Sequence, residues 1–66
     1  MQVKIESRHL PVEEISALIR EHRGDGKTID SWLNACVDAA HELHLVSYYF
    51  RVEQSADGWQ IVAVFL

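Results

Sequence analysis

Asp38, His41 and Glu42 stand three and four residues apart in a stretch of helical periodicity, a spacing that puts all three side chains on one face where they can converge on a cation. Two carboxylates and an imidazole are suitable ligands, but a catalytic metal site recruits a further ligand from elsewhere in the fold, and the sequence names none. The competing reading is a solvated helix face on which His41 sits among acidic neighbours; no His-Glu-x-x-His spacing is present to favour the metal. Cys36, the single cysteine, falls on the apolar stripe of the same stretch. A thiol there packs as a small hydrophobe, and His41 lies about 140° further round the helix, poorly placed to activate it.

The segment Gly24-Asp25-Gly26-Lys27-Thr28 precedes a helix in the manner of an anion-binding loop. The first glycine of a phosphate-binding loop would have to fall at Glu21, however, and the segment follows a helix instead of a strand, so a helix–helix turn is the better reading. The serines show no nucleophile elbow, and His9, His22, His41 and His44 are scattered over helix ends and a polar face. A chain of this length encloses no sizeable substrate. The expectation is therefore a protein without catalytic residues, cofactor, metal or small-molecule substrate.

Composition narrows the remaining classes. The 66 residues form one domain, near the lower size limit for unaided folding, with no disulfide and no cysteine pair for a structural zinc. With 48% of residues hydrophobic, stability must come from a dense core or from a second copy of the chain. Six Lys and Arg against ten Asp and Glu, a net charge of -4, argue against a protein that holds nucleic acid by neutralising phosphates. No apolar run approaches the roughly 20 residues of a membrane span. Met1 to Lys4 does not open like a signal peptide, and an unpaired cysteine fits the cytoplasm.

The elements that must position any site follow from periodicity. Met1 to Ser7 alternates Val3 and Ile5 with polar residues, as a short strand does. Pro11, Glu13 and Glu14 open a helix between Leu10 and Gly24, with the stripe Val12, Ile15, Leu18, Ile19 and His22. A second helix starts at Thr28 or Asp30 and runs to His44 or Leu45, its stripe being Ile29, Trp32, Leu33, Cys36, Val37, Ala40 and Leu43. Val46 to Gln54 and Trp59 to Leu66 are two strands joined by Ser55-Ala56-Asp57-Gly58, read as a type I turn ending on a left-handed Gly58. That turn pairs Gln54 with Trp59, Val52 with Ile61, Phe50 with Ala63 and Tyr48 with Phe65; a slip of one residue would set Glu53 beside Ile61.

Ile61 to Leu66 is apolar on both faces, as a central strand is. The expected fold is α+β, β-α-α-β-β, a three-stranded sheet in order 1-3-2 with a helical hairpin packed on one face. The direction of the 1–3 pairing is left open. Two helices cover one side of three strands, so Tyr49, Arg51, Val62, Val64 and Leu66 are expected on an open second face, a contiguous apolar patch rimmed by Gln2, Lys4, Glu6 and Glu53. Tyr and Arg often carry binding energy at interfaces. The competing reading has the aliphatic stem of Arg51 or the chain terminus shielding the patch.

From this follows the expectation of a non-enzymatic protein-interaction module, a small regulator or inhibitor of a bacterium or phage. It would bind a protein partner, or itself as a homodimer, through the open sheet face, with an exposed strand edge also available for pairing. The alternatives are a nucleic-acid-binding regulator using Tyr49, Arg51 and Lys4, where the aromatic stacks on bases, and a metal-dependent site at Asp38, His41 and Glu42. Glu6 and Glu53 on the same face, together with the low basic count, rank nucleic acid behind a protein partner.

Overall fold

Five elements are present in the computed structural model, which describes residues 2–22 and 28–66: β1 (Gln2–Ser7), α1 (Val12–Glu21), α2 (Ile29–Glu42), β2 (Tyr48–Ser55) and β3 (Gly58–Phe65). The strands form one sheet in order β1-β3-β2, with β3 central, as its two-sided apolar sequence requires. β2 pairs antiparallel to β3 in the register the turn chemistry implies, Gln54 opposite Trp59 and Tyr48 opposite Phe65, extended by the pair Ser55 and Gly58 so that Ala56 and Asp57 alone make the bend. Gly58 sits at φ 118°, outside the reach of ordinary side chains, which is why glycine stands there. β1 pairs parallel to β3, Lys4 opposite Val62 and Glu6 opposite Val64, making the sheet mixed.

α1 begins one residue later than expected, with Pro11 as an extended cap (ψ 136°) whose carbonyl accepts from the amides of Glu14 and Ile15. α2 is capped by Thr28, whose hydroxyl accepts from the Ser31 amide at 3.1 Å. Its C-terminus closes as a Schellman motif: Leu45 N–H donates to Ala40 and His44 N–H to His41, with His44 left-handed at φ 57°. This reversal throws Val46, expected as the first buried residue of a strand, into solvent with 96% of its surface exposed, and β2 starts at Tyr48 instead. The last turns of the two helices meet, His22 Nε2 lying 3.1 Å from Glu42 Oε2.

The core fills the space between helices and sheet. Ile15 and Ile19 from α1, Trp32, Ala35, Cys36, Ala39 and Ala40 from α2, and Ala63 and Phe65 from β3 form one buried cluster. Ala35 and Ala39 are absent from the stripe expected of bulky residues, while Leu33, of that stripe, only flanks the cluster half-buried. The two helices lie close against each other, and aromatic rings fill the space between α2 and the sheet. Trp32 meets Phe50 edge-on at 6.4 Å between centroids, and Tyr48 lies 6.2 Å from Phe65.

Candidate interaction surface

The face of the sheet away from the helices carries Tyr49, Arg51, Val62 and Val64, with Leu66 just beyond the end of β3, but it is not an open apolar patch. Val62 has no exposed surface and Val64 only 6%. Neither belongs to the helix-side core; what covers them is polar. Arg51 on β2 reaches across β3 to Glu6 on β1 in a bidentate pair, Nη2 to Oε1 at 2.7 Å and Nη1 to Oε2 at 3.1 Å. Its Nε donates to Glu53 Oε2 at 3.1 Å, and Glu53 in turn accepts from Gln60 Nε2. Lys4 Nζ stands 3.7 Å from Glu6 Oε1. Val62 is flanked by Lys4 on β1 and Arg51 on β2, and Val64 by Glu6 and Tyr49, so the guanidinium strap and its aliphatic stem roof the two valines. Of the two sequence readings of this face, the shielded one describes the geometry.

The electrostatics follow from the strap. Hydrogen bonding from Arg51, reinforced by its charge, holds the Glu6 carboxyl below the usual glutamate range against partial desolvation. Glu53 is lowered in the same way, first by Arg51 and then by Gln60. The Arg51 guanidinium is pushed further upward by the hydrogen bonds it donates to the Glu6 and Glu53 carboxylates. Tyr49, 47% exposed, and Leu66 remain accessible beside a shallow cleft of about 200 Å³ floored by Val64 and edged by Glu6 and Arg8. The nucleic-acid alternative asks Tyr49 and Arg51 to stack on bases with Lys4 nearby, yet Arg51 is held by Glu6 and Glu53, and Lys4 stands beside Glu6.

Asp38, His41 and Glu42 are all exposed on α2, Glu42 is turned to His22, and among the described residues no group of three His, Cys, Asp or Glu side chains comes together as a metal site. Cys36 is fully enclosed, and burial pushes its thiol up to about 12, out of the nucleophilic range. The phosphate-loop comparison at Gly24-Asp25-Gly26-Lys27 lies outside the described residues. Among the described residues no helix is long and apolar enough to cross a membrane.

A surface that the sequence reading did not single out lies on the helix-bearing face. Alternate residues of β3 on that face run from Phe65 and Ala63, both buried, through half-buried Ile61 to Trp59, which is 58% exposed. Val52, opposite Ile61 on β2, is 62% exposed, and Val3, opposite Ile61 on β1, is also open. The gradient has a geometric cause. Ten residues of α1 span about 15 Å and fourteen of α2 about 21 Å, whereas eight residues of β3 span roughly 26 Å, so the hairpin end of the sheet outruns its helical cover. The signal was available in the unequal lengths of the elements. A scan against protein-family models, a search of curated proteins and a search of solved structures each return no match.

Proposed function

We propose that this chain is a non-enzymatic protein-interaction module of the cytoplasm, a small regulator or inhibitor, whose contact surface is the hairpin end of the helix-bearing sheet face. The observation that carries the reading is the exposure of Trp59 and Val52, diagonal neighbours on the same face of adjacent strands, with Val3 across Ile61 from Val52. Tryptophan is the residue most enriched among those that dominate interface energies, and a clustered apolar surface rimmed by polar groups is what such a contact requires. Gln54, opposite Trp59, and the exposed Asp57 of the turn supply the polar rim here. Tyr49, Arg51, Val62, Val64 and Leu66 recede as a contact surface because the valines are already covered.

The test compares baits. The wild-type chain and Trp59→Ser, Val52→Ser and Tyr49→Ser variants are immobilised, and proteins retained from the source lysate are quantified. Specific retention lost with Trp59→Ser and Val52→Ser but kept with Tyr49→Ser supports the reading. Retention that follows Tyr49 and ignores Trp59 overturns it.

A further inference from the structure

β2 is an edge strand whose outer hydrogen-bonding groups meet no other strand among the described residues. Which groups those are can be read from the ladder. Leu66 N–H donates to Ser47 O at 3.0 Å, so the directly opposed residues 47 and 66 are a hydrogen-bonded pair. Antiparallel pairing alternates with period two. Tyr49, Arg51, Glu53 and Ser55 therefore bond to β3, and the N–H and C=O groups of Tyr48, Phe50, Val52 and Gln54 point outward. The edge is eight residues long, unbulged through eight consecutive pairs, and contains neither proline nor lysine, and its two charges, Arg51 and Glu53, are paired with each other on the strap face.

We infer that this edge pairs antiparallel with β2 of a second copy about a two-fold axis at Val52, joining the two sheets into one of six strands. The inference rests on the reading of the Val52 and Trp59 end as an interaction surface and names its occupant. The choice of a second copy comes from charge. Arg51 and Glu53, bonded to each other within the chain at 3.1 Å, flank Val52 on the strap face, and a two-fold axis at Val52 exchanges them, so that the pair meets its own image with Arg51 of each copy opposite Glu53 of the other. Moving the axis by one residue sets Arg51 against Arg51 or Glu53 against Glu53. Moving it by two sets Glu53 opposite Ser47 or Ser55 and Arg51 opposite Tyr49 or beyond the end of β2, at Asp57 of the turn. Within β2, only the Val52 register is electrostatically self-complementary, and it places the exposed Val52 side chains against one another on the helix-bearing face, continuing the row Val3, Ile61, Val52 through both copies.

The experiment is sedimentation equilibrium of the full chain from micromolar to near-millimolar concentration, with amide hydrogen exchange at both extremes. The expected mass rises from monomer to dimer, and the amides of Phe50, Val52 and Gln54 gain protection with concentration. Val52→Pro removes an outward N–H that the chain itself does not use; it stays monomeric with an unchanged far-ultraviolet spectrum. Glu53→Lys, which keeps the Arg51–Glu6 pair, weakens the dimer by about tenfold or more through like-charge contact. A wild-type chain that is monomeric at every concentration overturns the inference, as does a dimer whose protection falls elsewhere. A monomer that still retains a lysate partner through Trp59 removes self-pairing while leaving the interaction module standing, so the two failures are distinguishable.

Discussion

Arg51 and Glu6, 45 positions apart in the chain, join their charged groups in two hydrogen bonds of 2.7 and 3.1 Å across the central strand, and Val62 beneath them is sealed from solvent. A surface that hydropathy alone marks as sticky is thereby made polar. Arg51→Ala removes both the ions' partner and the aliphatic roof, so it is expected to lower the melting temperature more than Lys4→Ala does, and to expose enough apolar surface to raise binding of a hydrophobic dye. Thermal melts of the two variants side by side check this.

The same pair sets an acid limit on stability. Glu6 and Glu53 have folded-state pKa values below the usual 4.5. Carboxylates depressed in this way contribute stability that is fully present above the unfolded value and is lost as pH falls through the folded ones. Wild-type stability is thus expected to decline below about pH 4.5, and Arg51→Met to flatten that decline by removing the group that depresses both carboxyls. Denaturant titrations at neutral and acid pH measure the difference.

Cys36 reports on the core. Enclosed on α2, with its thiol pushed up to about 12, it is expected to resist alkylation in the native state and to react on unfolding, so that labelling rate follows global opening. Cys36→Ser buries a hydroxyl in the same space and is expected to cost about 1–3 kcal/mol. For a chain of this size that is a large share of the total stability.

His44 occupies the left-handed position of the Schellman motif at φ 57°, where glycine is normally found. His44→Gly is expected to stabilise the fold by about 0.5–1 kcal/mol, the strain relieved exceeding the entropy added to the unfolded chain. Melting curves at matched concentration decide the sign.

Much of the fold could be read directly from residue patterns. Asp57-Gly58 and the alternation around it fixed the β2–β3 register, and the apolar run from Ile61 placed β3 in the centre. The covered face was harder, because it depends on the direction of β1. Parallel pairing carries Glu6 to Val64, within reach of Arg51; reversed about the same Lys4–Val62 pair, β1 would carry Glu6 towards the hairpin end. No local pattern in Met1 to Ser7 distinguishes the two. Ala35 and Ala39 escaped notice because periodicity weighs bulky side chains, whereas small ones are here enclosed just as fully. Trp59 and Val52 read as inward-facing, which they are, but inward means buried only where a helix reaches.

The exposure of Trp59 is the point on which the interaction reading turns, and acrylamide quenching of tryptophan fluorescence measures it directly. Trp32 is enclosed in the core and Trp59 is more than half open, so the dilute wild-type chain is expected to show one strongly quenched and one protected population. Trp59→Phe should abolish the quenched population, and binding of a partner protein should protect it. A dilute monomer in which Trp59 is already shielded from acrylamide would contradict the assignment of this surface.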